Sequence, residues 1–157
     1  RRYPLPRPLL GRSGCDFSFA GLKTAVRQAV QAMPPGDAAD RAAADLCASF
    51  QAACADVLAD RCRRAMERFA DEFGACRHLV VAGGVAANQA LRTRLTEVAQ
   101  AQGAELVAPP AALCTDNAAM VAWAGLERFR LGQQDGLDAP VRPRWPLDAP
   151  DMRLVVG

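Results

Sequence analysis

"HLVVAGGVAANQALRTRLTEVAQAQGAELVA" occupies residues 78–108, and its reading decides the fold. "HLVVA" (78–82) predicts a buried strand, apolar on both faces. Gly83 and Gly84 stop it, and Val85, Leu91, Leu95 and Val98 then continue as a helix that Gly103 ends. "AELVAP" (104–109) predicts a second strand. A strand–helix–strand unit is normally a right-handed parallel crossover, so the stretch predicts an α/β core with extra helices packed on it.

The flanking sequence supplies those helices. Residues 1–14 hold Pro4, Pro6, Pro8, Gly11 and Gly14 and read as an irregular, extended lead-in. "CDFSF" (15–19) alternates apolar and polar residues, which fits a short strand. Leu22, Ala25, Val26, Ala29, Val30 and Met33 trace one helical face, closed by Pro34-Pro35-Gly36. Asp37 or Asp40 then caps a long helix whose stripe is Leu46, Phe50, Cys54, Val57, Leu58, Cys62, Met66, Phe69 and Phe73, about eight to nine turns at ~3.6 residues each. Gly74 suits its C-terminal end. "PPAALCTDN" is a loop, and "NAAMVAWAGLERFRLG" a last helix ended by Gly132. No linker divides the chain, which reads as one domain over 1–157.

Of the 157 residues, 51% are apolar and 23% charged, the balance of a globular chain. No apolar run approaches the ~20 residues a membrane helix needs, and no leader pattern opens the chain. It starts at Arg1 and not Met, so it is expected to be a processed product or a piece of something longer. A net charge of +2 makes no case for nucleic acid. Arg1, Arg2, Arg7 and Arg12, and Arg142 and Arg144 near the end, read as solvated, proline-rich flanks. Six cysteines include no Cys-x-x-Cys pair and are expected to be free thiols. One histidine, His78, makes a His/Cys zinc site improbable within this chain.

Three segments can carry chemistry. Gly83-Gly84, between a strand and a helix, lets a ligand approach bare backbone near a helix N-terminus that favours negative charge. A plain packing turn explains the glycines about as well. Asn88, read as one turn into the helix, carries an amide able to donate to and accept from a sugar or base edge, against a bland role as a solvent-facing residue. In "CTDN" (114–117), Thr115 or Asp116 serves as a helix cap, or Asp116 is a carboxylate ligand. A lone carboxylate cannot hold a metal, so its partners would lie outside the chain. Loops after successive strands lie on the ligand edge of an open sheet, so the glycine turn and the Asp116 loop are expected to face one crevice. In "DFSFAGLKTAV" (16–26), Ser18, Lys23 and Thr24 suggest a phosphate or RNA contact, with a plain cap and a solvated lysine as the default.

"DFSFAGLKTAV", "LVVAGGVAANQALR", "LCTDNAAMVAWAG" and "RPRWPL", in this order, closely resemble the C-terminal half of the bacterial TsaD/Gcp family, over nearly the whole chain. These are the tRNA adenosine threonylcarbamoyltransferases, once described as O-sialoglycoprotein endopeptidases. The resemblance implies the second lobe of an actin-like ATPase fold (Hsp70, actin, sugar kinase; RNase H-like), with the N-terminal lobe absent. It implies transfer of a threonylcarbamoyl group from threonylcarbamoyl-AMP to the exocyclic amine of the adenosine beside the anticodon. It also implies one divalent metal, iron or zinc, held by Asp116 and by a His-x-x-x-His pair of the absent lobe. Asn88, Gly83 and Gly84 match the family's adenylate contacts. tRNA, a paralogous partner subunit and a small ATPase of the same pathway are the implied partners, in the cytoplasm and with no membrane.

The departures are the absent His-x-x-x-His, the absent Ser-Gly-Gly-His phosphate motif, and Ala20 where the family often has serine. A chain lacking the first lobe is expected to be inactive by itself. The alternatives are a lobe of another actin-like kinase, against which the Thr-Asp-Asn and Arg-Pro-Arg-Trp-Pro segments argue, and a non-catalytic partner or assembly module, against which Asp116 and Asn88 argue.

Overall fold

A computed structural model describes residues 2–36 and 38–139. Asp37, Arg1, Arg142, Arg144 and the "RPRWPL" segment lie outside the described residues. The described residues form two compact units, one ending at Thr115 and one beginning at Asp116.

The first unit is built on one helix. After helix α1 (Ala20–Gln31), helix α2 runs from Ala38 to Phe73, 36 residues. Its length follows from composition: alanine, leucine, arginine and glutamate recur, and no glycine or proline interrupts them. Gly74, at φ +87°, ends it by donating its N–H to the Ala70 carbonyl. The buried positions are Ala42, Leu46, Ser49, Ala53, Val57, Ala59, Arg61 and Met66. Steps of three and four were expected, but the stripe turns on small residues: Phe50, Phe69 and Phe73 are exposed, while Ala53 and Ala59 are buried. Small side chains let neighbours approach the α2 backbone closely, and the bulkier phenylalanines fall beside the contact.

Two apolar clusters use different stretches of α2. In one, Leu46 and Ala53 meet Leu5 and Leu22, with Phe19, Val26 and Met33 against them, which fastens α1 and the lead-in to the first half. Leu22 is wholly buried, a contribution of about 1.5–3 kcal/mol. In the other, Ala59 and Met66 meet Val98, Ala99 and Ala104.

That second cluster carries the crossover. Strand β1 (His78–Val80), helix α3 (Gln89–Ala101) and strand β2 (Glu105–Val107) come in that order, and β1 and β2 pair in parallel with Leu79 opposite Leu106. The parallel crossover is as expected, but a β1 buried on both faces is not. Leu79 and Leu106 pack on the cluster, whereas Val80 is 68% exposed. The described sheet has two strands, and α2 and α3 cover the face that bears Leu79 and Leu106. The 15–19 segment is likewise no strand. It finds no ladder partner among the described residues, and the Gly14 carbonyl just before it is taken by Arg61.

The lead-in is a strap, not a solvated flank. Arg2 pairs with Asp45 at 2.8 Å, the Tyr3 N–H meets Ser49 Oγ at 3.3 Å, Arg7 pairs with Asp56 at 3.1 Å, and the Gly11 N–H reaches Asp60 Oδ2 at 3.2 Å. Arg61, 1% exposed, donates to the carbonyls of Arg12 (2.8 Å) and Gly14 (3.0 Å) and also to Asp60. By length and composition α2 contains a stretch apolar enough to cross a membrane, which corrects the sequence reading. Its alanines supply that hydropathy, and the same helix presents Asp45, Asp56, Asp60 and Arg61 to the strap. These contacts make it the core helix of this unit.

In the second unit, α4 spans Ala118–Arg130. Asn117 caps it, accepting from the Met120 N–H at 3.0 Å. Arg128 and Arg130 occupy its last turn, which suits the negative end of the helix dipole, and Gly132 lies just beyond at φ +74°.

Burial alone would raise the Asp60 carboxyl. Hydrogen bonds from Arg61, the Gly11 N–H and Arg63, with the Arg61 charge, outweigh it and hold the pKa at about 2, below its ordinary 3.8. A depressed carboxylate stabilises the fold fully above 3.8, and that contribution disappears as pH falls through about 2. Urea unfolding measured against pH should show this loss in the parent chain. In Asp60→Asn the same acid limb should flatten, with lower stability at neutral pH.

Candidate functional site

Gly83 sits at φ +79°, ψ −179°, a region essentially closed to side-chain-bearing residues. The chain therefore needs glycine there to turn away from the line of β1. Gly84 does not share that requirement: it has no positive φ, and a Cβ built on it meets nothing within 4 Å. Among the described residues a Cβ on either glycine meets nothing within 4 Å. Gly83 is therefore a turn glycine by its backbone, while Gly84 is set by neither a positive φ nor a close neighbour.

The segment does not run straight into a helix. Gly84–Ala87 form a 3₁₀ turn, closed by the Ala86 N–H on the Gly83 carbonyl (2.9 Å) and the Asn88 N–H on the Val85 carbonyl (3.1 Å). Asn88 is extended and is the N-cap of α3, not a residue one turn inside it. Its Oδ1 accepts from the Leu91 N–H at 3.1 Å, and its Nδ2 donates to Gln51 Oε1 on α2 at 3.1 Å. The expected solvent-facing role is thus replaced by a capping role. Asparagine suits it because a short carbonyl side chain reaches the free N–H groups of the first turn. Gly83, Gly84 and Asn88 come together on this one turn.

Asp116 opens the second unit and is exposed. The capping role expected of Thr115 or Asp116 belongs to Asn117, because that residue has the extended backbone a cap requires. Among the described residues the Asp116 carboxylate neither caps the helix nor pairs with a basic side chain. It is chemically suited to serve as one hard oxygen ligand. No group of three or more His, Cys, Asp or Glu side chains that could hold a metal occurs among the described residues, so any such ion needs ligands from elsewhere.

The third candidate loses its specific support. Phe19 precedes α1 without a side-chain cap, Thr24 Oγ1 donates to the Ala20 carbonyl within the helix, and Lys23 is exposed. All six cysteines are free, as expected. Burial pushes the Cys54 and Cys62 thiols up, away from a reactive thiolate. Gln51, which accepts from Asn88, and Arg92, whose Nε donates to the Ala86 carbonyl within the turn, were not singled out from the sequence. The signal for Arg92 was its place four residues after Asn88, one helical turn along.

The family model described as tRNA N6-adenosine threonylcarbamoyltransferase, TsaD, matches residues 1–123. The chain belongs to this family. Relatives bearing that description include one from Rhodospirillum rubrum, 62% identical over 157 residues, covering 100% of this chain and 43% of the relative. One from Granulibacter bethesdensis is 58% identical over 149 residues, covering 95% of this chain and 40% of the relative. One from Brucella anthropi is 53% identical over 157 residues, covering 99% and 43%. The chain therefore spans less than half the length of these bacterial relatives. TsaD-family membership bears out the resemblance that the glycine, Thr-Asp-Asn and Phe-Ser-Phe segments carry.

The two glycines should separate in mutagenesis. Gly83→Ala should cost about 1–3 kcal/mol of unfolding free energy, the strain of a side chain in that backbone region. Gly84→Ala should fold with stability within about 1 kcal/mol of the parent. Equal losses in urea melts would show that Gly84 is also a structural glycine.

Proposed function

We propose that this chain is the adenylate-contacting half of a tRNA N6-adenosine threonylcarbamoyltransferase, with the second lobe of an actin-like fold as its architecture and 1–157 as one lobe. The observation that carries the reading is the turn as a whole: Gly83 at φ +79°, Gly84 without a side chain and Asn88 as the N-cap of α3 lie together, with nothing within 4 Å of a Cβ on either glycine among the described residues. A nucleotide can lie against such backbone without meeting a side chain. The first-turn N–H groups and dipole of α3 favour its negative charge.

In the reaction, the exocyclic amine of a tRNA adenosine attacks the carbamoyl carbon of threonylcarbamoyl-AMP. The new nitrogen–carbon bond forms, the bond from that carbon to the phosphate oxygen breaks, AMP leaves with the electron pair, and the amine gives up a proton. Gly83 and Gly84 form the surface against the nucleoside. Asn88 donates Nδ2 to it in exchange for Gln51 while keeping Oδ1 on the helix. Asp116 contributes one carboxylate ligand to a divalent iron or zinc ion, whose other ligands come from outside the described residues. When bound, that ion supplies Lewis-acid polarisation and charge neutralisation at the acyl-phosphate. tRNA, a paralogous partner subunit and a small ATPase complete the proposed assembly in the cytoplasm.

Asn88→Ser tests the adenylate contact, because serine preserves a neutral capping oxygen and removes the amide donor. In a protein completed to the length of its relatives, stability should hold while adenylate affinity falls about five- to tenfold, the worth of one hydrogen bond. Unchanged affinity would remove Asn88 from the site. For the metal, Asp116→Ala should lower the bound iron or zinc measured by elemental analysis, with the α4 melt unaltered because Asn117 still caps the helix. Full metal content in that variant would refute the ligand assignment.

A further inference from the structure

Beyond the turn itself, one side chain holds two loops. Arg92 projects from the first turn of α3 and is half-buried. Its Nε donates to the Ala86 carbonyl, inside the 3₁₀ turn after Gly83. Its Nη2 donates to the Pro109 carbonyl at 2.9 Å and to Cys114 Sγ at 3.3 Å, both in the segment after β2. Cys114, 2% exposed, donates its thiol to the same Pro109 carbonyl at 3.4 Å. That segment is otherwise closed by its own short-range bonds, the Leu113 N–H on the Pro110 carbonyl and the Cys114 N–H on the Ala111 carbonyl. The Arg92 guanidinium thus bridges the segment to the glycine turn.

The chemistry of the side chain suits this task. A guanidinium is planar and always charged, and it presents its donors in a fixed fork, so satisfying acceptors on two loops fixes the loops relative to each other. A lysine ammonium has the charge but is a point on a flexible stem and sets no such angle. The acceptors are two main-chain carbonyls and a buried thiol. Removing the guanidinium therefore leaves the Ala86 and Pro109 carbonyls without this donor.

We propose that Arg92 is a positioning residue, which locks the Gly84–Asn88 turn and the Pro109–Cys114 segment into one preformed rim for the adenylate. The adenylate in this statement rests on the function proposed above, whereas the lock itself rests on the bonds alone. Arg92 does not touch the substrate. It lowers the ordering cost of binding by keeping the turn in its bound shape beforehand.

Arg92→Met and Arg92→Lys test the lock in two arms. In this chain, hydrogen exchange over residues 84–88 and 110–114, with alkylation of Cys114 read by peptide mass spectrometry, reports the two loops. Arg92→Met should speed all three by at least about tenfold, a local opening, while residues 42–66 of α2 keep their protection. Arg92→Lys should recover less than half of that protection. If one loop stays protected, or if α2 exchanges equally fast, the lock is refuted whatever the adenylate does.

In the protein completed to relative length, Arg92→Met should raise KM for threonylcarbamoyl-AMP about tenfold with kcat within about twofold, the pattern of lost binding without lost chemistry. Loops that loosen with KM unchanged would refute the positioning role. A parent protein that never binds the adenylate would instead refute the proposed function, leaving the exchange arm to decide the lock.

Discussion

The buried guanidinium of Arg61 is the constraint on which the first unit depends. A charge so enclosed is tolerable only if every donor finds an acceptor, since an unpaired buried ion costs several kcal/mol. Here the acceptors are two carbonyls of the strap and the neighbouring Asp60. The strap tracks α2 because its own carbonyls complete that site, and Gly11 enters through its N–H to Asp60. Leu5 can then bury against Leu22 and Leu46. The proline-rich composition of the strap fits this use: prolines give up N–H groups that a single-sided contact with a helix could not satisfy.

The same economy recurs at the glycine turn with a different arginine. Arg61 and Arg92 both end on main-chain carbonyls of irregular segments. Irregular backbone lacks a ladder of its own, and its buried carbonyls require donors from side chains. A planar fork with several N–H groups meets two such segments at once. The difference lies in what the fixed segments carry. Arg61 fixes a strap that closes a core, whereas Arg92 fixes a turn with nothing within 4 Å of a Cβ on Gly84 among the described residues.

Much of this was legible in the sequence. The crossover over 78–108 announced itself through strand-like runs around a helical period, and it formed with the expected parallel pairing. Helix ends at Gly74 and Gly132 were legible because glycine accepts positive φ. Local pattern could not reveal long-range polar contacts. In the sequence nothing marks Asp60 and Arg61, because their partners, Gly11 to Gly14, lie more than forty residues away and present main-chain atoms that carry no composition signal. The capping errors had a local origin. Asp116 and Asn117 are both good caps by residue type, and only the extended backbone at Asn117 separates them.

That distinction bears on the chemistry. Had Asp116 capped α4, its carboxylate would have been committed to a main-chain N–H, and the ligand role proposed for it would compete with helix stability. With Asn117 as cap, Asp116 carries no capping duty. Asn88 shows the opposite arrangement, with one side chain divided between two tasks. Its oxygen is committed to the Leu91 N–H, while its amide nitrogen rests on Gln51, an exposed contact across to α2. An exposed amide–amide hydrogen bond is worth little net against water, so exchanging Gln51 for a ligand costs little, whereas surrendering the cap would cost about 1 kcal/mol. The oxygen therefore holds Asn88 in place, and the nitrogen is the end less committed to the fold, as the proposed adenylate contact requires.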